Sequence, residues 1–110
     1  MTESTPVSVP DELQPLAALD PAIIDVLRRN RIELELLCGL SERDIEMVRL
    51  GALIGLGAPD GSFTSHIGRA RLLEVSDGEI WGAVTAVAPL VGVPRLIEVV
   101  PLVAAALQGG

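Results

Sequence analysis

His66 is the only histidine in the chain and the only side chain whose ordinary titration falls near neutral pH. Glu46 precedes it on what reads as the neighbouring helix. A carboxylate facing an imidazole is the elementary acid/base unit: the carboxylate orients the ring, and the ring takes or gives a proton. Arg49, one helical turn beyond Glu46, suits a substrate carboxylate. Ser62 and Trp81 complete a candidate substrate-binding set, one through a hydroxyl and the other through an aromatic face. Each has a plainer alternative. His66 would then bridge two packed helices, Glu46 would be an exposed first-turn acid, Arg49 a surface or intersubunit ion pair, Ser62 a helix cap and Trp81 core packing. Cys38 reads as a small buried hydrophobe.

Composition narrows the chemistry. There are eight arginines and no lysine, and the net charge is −7. Without lysine there is no Schiff base and no phosphate loop of the Gly-Lys-Ser/Thr type. An acidic chain without a basic stripe is a poor ligand for nucleic acid. One cysteine allows neither a disulfide framework nor a cysteine zinc site, and no residue pattern calls for a metal or another cofactor. The longest apolar run is interrupted by Pro94, Arg95, Glu98 and Pro101, so no membrane span is expected, nor is a signal peptide. These features point to a cytoplasmic protein.

Five or six helices must position the candidate residues, with no alternating strand pattern, giving an all-α fold. Residues 1–15 read as a flexible arm, with Asp11-Glu12-Leu13 starting a turn, and residues 16–110 as one helical domain. Asp20-Pro21 opens the first long helix, with Ile23, Ile24, Leu27, Arg31, Leu34 and Leu37 along one side, and Gly39 closes it. Ser41 caps the next helix, whose apolar side reads as Ile45, Val48, Ala52 and Ile54 to Leu56; Gly57 ends it. Gly51 and Gly55 fit a close neighbouring helix. Ser62 is expected to cap the third helix, placing His66 about one turn in, with Phe63, Ile67, Ala70 and Leu73 inward. Ser76-Asp77-Gly78-Glu79 is a full capping box for the fourth helix, whose stripe is Ile80, Val84, Val87 and Val91. Gly92-Val93-Pro94 then introduces a last helix to about Leu107. It is apolar nearly all round, which predicts burial on every side and an oligomer.

The run Leu40-Ser41, then Ile45-Glu46-Met47-Val48-Arg49-Leu50, then Thr64-Ser65-His66, then Gly92-Val93-Pro94 resembles the carboxymuconolactone decarboxylase family over about residues 20–107. In the thiol-peroxidase branch, which includes proteins similar to alkylhydroperoxidase D, the two cysteine positions fall at Pro59 and Ser62, so peroxide chemistry is not expected. In the lactone decarboxylase branch a Leu-Arg-Ser-His run is similar to Phe63-Thr64-Ser65-His66. That branch carries a tyrosine where Leu90 stands and a glycine where Glu74 stands. Counted back from His66, the family's glutamate falls at Met47, or at Glu46 if the loop is one residue longer than usual, and we choose Glu46. The resemblance implies a helical bundle forming homotrimers or hexamers, and a cofactor-independent enzyme with His66 and Glu46 as catalytic groups. Decarboxylation, isomerisation or cyclisation of a small acidic or cyclic molecule is the chemistry it implies. A scaffold or binding protein that keeps the fold without the chemistry is the rival expectation.

Overall fold

The structure, a computed structural model, describes residues 9–109 and is helical throughout, with no strand among the described residues. The chain falls into two compact units, Met1–Gly39 and Leu40–Gly110.

In the first unit a single 3₁₀ turn at Asp11–Leu13 runs into α1, Gln14–Leu19, followed by α2, Pro21–Leu37. Asp20 caps α2 as its side chain accepts from the Ala22 N–H at 2.9 Å, and Pro21 takes the first helical position, where its missing N–H costs nothing. Helix α1 was not expected; six residues are too few to display a period. Of the flexible arm expected over residues 1–15, residues 1–8 lie outside the described part, and residues 11–15 are helical. The apolar side of α2 is largely uncovered: only Ile24 is buried, while Leu27, Leu34 and Leu37 are exposed. Cys38 is exposed too, not buried, and its thiol donates to the Glu35 carbonyl at 3.3 Å.

The second unit is a four-helix assembly of α3 (Glu42–Leu56), α4 (Asp60–Leu72), α5 (Asp77–Val91) and α6 (Val93–Gly109). Helix α3 packs against α4 and α5, and α6 closes against α4 and α5. The core is Leu50, Ile54, Phe63, Ile67, Ala70, Val75, Ile80, Val84, Val99, Val103 and Leu107. Phe63, the one phenylalanine, is fully buried. Of the stripes expected on α4 and α5, Phe63, Ile67, Ala70, Ile80 and Val84 are buried as read, while Leu73, Val87 and Val91 are half-buried. On α3 the expected side is covered only in part: Ile45 and Ile54 are buried, Val48, Ala52 and Leu56 are exposed, and Leu50, not on the expected side, is buried as deeply. This helix is apolar on two sides, and its neighbours decide which one is covered. Gly51 explains the choice, because α5 presses against it; a Cβ there would stand 3.3 Å from Val87 Cγ1.

The ends of these helices follow local chemistry. Ser41 accepts from the Asp44 N–H at 3.1 Å. Ser76 and Glu79 form the complete reciprocal capping box. Helices α3 and α4 both end in a Schellman turn, with a left-handed residue satisfying the orphan carbonyls. In α3 that residue is Gly57 (φ 66°). In α4 it is Glu74 (φ 64°), the one described non-glycine residue with positive φ. The Val75 and Glu74 N–H groups donate to the Ala70 and Arg71 carbonyls, each at 3.0 Å. Ser62 does not cap α4. The helix begins two residues earlier, at Asp60 after an extended Pro59, and the Ser62 N–H donates to the Pro59 carbonyl at 3.0 Å. Proline ended the turn before serine could cap it, so His66 sits nearly two turns into α4.

Helix α6 is not buried on every side within the single chain. Val99, Val103 and Leu107 face inward, while Val93 and Ile97 are exposed. No helix among the described residues is long and apolar enough to cross a membrane.

Candidate functional site

Helices α3 and α4, packed against each other, deliver the candidate pair. The Ser41 cap sets the phase of α3 so that Glu46, in its second turn, is directed between helices. Phe63 and Ile67, both buried, lock the rotation of α4. That rotation turns His66, one position before Ile67, to the boundary of the core. The outcome is a hydrogen bond of 2.8 Å between His66 Nδ1 and Glu46 Oε2. The Glu46 side chain is 7% exposed and the imidazole 21%. Glu46 is the one buried charged residue of the described chain.

A carboxylate so buried requires compensation, since an unpaired one would cost several kcal/mol. His66 supplies a hydrogen bond on one oxygen. Arg49 Nη1 stands 3.9 Å from the other oxygen, Oε1, one turn along the same helix. The carboxylate is thus held between an imidazole and a guanidinium. With Nδ1–H donating to Glu46, the neutral ring carries its lone pair on Nε2, the nitrogen remote from the carboxylate. The arrangement can take up a proton at Nε2 while Glu46 stabilises the resulting imidazolium.

The other two candidates stand differently. Ser62 precedes His66 by one turn on α4 and is half-buried, so it shares the face that carries the imidazole. Trp81, at the start of the second turn of α5, is half-buried against the hydrophobic core, and its carbonyl accepts the Thr85 hydroxyl at 2.8 Å. No hydrogen bond among the described residues joins Trp81 to the Glu46–His66 pair. Among the described residues no group of three or more His, Cys, Asp or Glu side chains is placed to hold a metal ion.

One feature gave no clear signal in the sequence. A groove of about 330 Å³ runs between α4 and α6, lined by Asp60, Thr64, Gly68, Arg71, Ala105, Ala106 and Gly109. Its α4 residues recur at helical spacing, and His66 lies about 200° round the helix from Thr64, on the far side. Arg71 closes one end, donating to the Leu107 carbonyl at 2.6 Å and to Asp77 Oδ1 at 3.0 Å. Only the small residues at 68, 105 and 109 hint at it, and small residues are as often packing as pocket.

Comparison with protein-family models, with curated proteins and with solved structures returned no match. Whatever is inferred about activity therefore stands on the residues and their geometry.

Proposed function

We propose that this chain is a cofactor-independent acid/base enzyme, similar in plan to the carboxymuconolactone decarboxylases, acting on a small acidic or cyclic organic molecule. The observation that carries the reading is the 2.8 Å contact between His66 Nδ1 and a buried Glu46 carboxylate. Glu46 orients the imidazole and stabilises its charged form; Nε2 is the atom that exchanges the proton. The positive charge of Arg49, beside the pair, favours a substrate that bears a carboxylate. A carbon acid next to that carboxylate is the natural reacting group. Proton removal followed by its return at another carbon is isomerisation, and displacement of a leaving group by the carbanion is ring closure. In decarboxylation the imidazolium instead gives its proton to the carbanion left as CO2 departs. On this reading the working form is a homo-oligomer, trimeric or hexameric, in the cytoplasm.

A second reading, a binding protein without chemistry, is favoured by one observation: the groove between α4 and α6 faces away from His66. Proton exchange separates the two. Small carboxylate-bearing carbon acids and lactones are incubated with the protein in heavy water, and deuterium incorporation is followed by NMR. The enzyme reading expects exchange into at least one of them, reduced at least about a hundredfold in His66→Ala and less in Glu46→Gln. Equal exchange in wild type and His66→Ala, or none with any compound, overturns it.

A further inference from the structure

Helix α2 presents a face that its own unit leaves bare. Along it Ile23, Leu27, Asn30, Leu34 and Leu37 are spaced by four, three, four and three residues, the a/d alternation of a two-stranded coiled coil. Leu27 is 52% exposed, Leu34 56% and Leu37 81%. Helix α1, with six residues against the seventeen of α2, is too short to follow this seam to its end. Apolar residues lie off the seam as well, Ile32 and Leu36 among them, but only the seam repeats at heptad spacing.

We propose that α2 is a self-association helix, its seam pairing in parallel and in register with the same seam of a second copy of this chain. Three observations favour a second copy, and this orientation. The first is Asn30, a d position at the middle of the seam. In a parallel pair it lies opposite its own equivalent, where one amide N–H can donate to the other's carbonyl oxygen. Antiparallel pairing sets a positions against d positions, which would seat the amide against Leu27 or Leu34. The second is charge. In the parallel arrangement the flanking positions bring Val26 beside Arg31 and Glu33 beside Cys38, so no like charges are opposed. The antiparallel register that seats Asn30 against Leu34 would set the Arg31 and Glu33 positions of one copy against the same positions of the other. The third is that such a seam is complementary to itself, which is what a two-fold interface requires.

The chain carries its own reporter, because Cys38 is the only cysteine and is exposed directly after the last seam residue. Parallel pairing places the two thiols level with each other at one end, across the seam. Antiparallel pairing separates them by about 18 Å or more along the axis, at 1.5 Å per residue. The full-length protein is therefore treated with a short thiol-to-thiol bismaleimide and run on a denaturing gel. A covalent dimer is expected. Leu34→Glu should lower its yield at least about tenfold, and so should Asn30→Asp, which sets two carboxylates against each other only in the parallel register. Both positions are exposed in the single chain, so helix content by circular dichroism should be unchanged in either variant. Ile97→Glu, on the exposed side of α6, should leave the cross-link intact. Absence of the dimer, a dimer that forms only with a long linker, or a yield indifferent to both α2 substitutions overturns the proposal. The readout is a covalent bond at Cys38, so it stands or falls separately from any activity of His66.

Discussion

Glu74 occupies a backbone conformation that suits glycine, and replacing it is a quantitative test of how α4 ends. At φ 64° it is the left-handed residue of the Schellman turn, the place filled by Gly57 at the end of α3. A left-handed conformation costs an L-residue roughly 1–2 kcal/mol through the clash of Cβ with the carbonyl oxygen. Glycine avoids this but loses roughly 0.5–1 kcal/mol more backbone entropy on folding. The difference predicts that Glu74→Gly stabilises the protein by about 0.5–1 kcal/mol. In a domain of this size that raises Tm by about 2–8 °C. The Glu74 side chain is exposed and makes no hydrogen bond or ion pair within the described chain, so nothing offsets the gain. Thermal and urea melts by circular dichroism are the assay. Glu74→Ala is the control: it removes the charge, which could itself help a chain of net charge −7, but keeps the Cβ. If the alanine variant gains as much as the glycine variant, or the glycine variant gains nothing, the backbone argument is wrong.

Two further outcomes follow from the second unit. Glu79 has its carboxyl pKa lowered from the ordinary 4.5, chiefly by the hydrogen bond from Arg43 and then by its bond to the Ser76 N–H. A depressed carboxyl stabilises the fold above its unfolded pKa and loses that contribution as pH falls through its folded value. Glu79→Gln should therefore be less stable than wild type near neutral pH, with a gap that closes on acidification below about pH 4.5; a gap that is constant or widens would refute this. Gly51→Leu should destabilise by about 1–3 kcal/mol in denaturant melts, because even its Cβ would stand 3.3 Å from Val87 Cγ1. An unchanged midpoint would show that α3 and α5 separate more easily than the packing implies.

What could be read in advance was governed by the range of the interactions. The starts at Asp20-Pro21, Ser41 and Ser76 and the stop at Gly57 are complete within four or five residues, so the chain displays them directly. The start of α4 was displaced because two local signals competed, and Pro59 acts before Ser62. The buried side of α3 could be read only in part, because Leu50 and Ile54 on one side and Ile45, Val48, Ala52 and Leu56 on the other are equally apolar. Only contact with α5 through Gly51 distinguishes them. Uniqueness singled out His66, and the neighbouring helix offered Glu46, but whether they touch depends on the rotation of two helices, which no local pattern encodes. The groove between α4 and α6 joins residues more than thirty positions apart, and Arg71 meets the Leu107 carbonyl only once α6 is in place.

The Glu79 carboxylate, finally, belongs to two helix starts at once. It accepts from the Ser76 N–H and hydroxyl in the first turn of α5, and its other oxygen receives the guanidinium of Arg43, in the first turn of α3. Helix ends ordinarily fray independently and exchange their amide hydrogens fastest. Here one end cannot open without releasing a restraint on the other. In hydrogen-exchange measurements the amides just inside α3 and α5 should slow or quicken together, and Arg43→Ala should accelerate exchange at the start of α5, a helix it does not belong to.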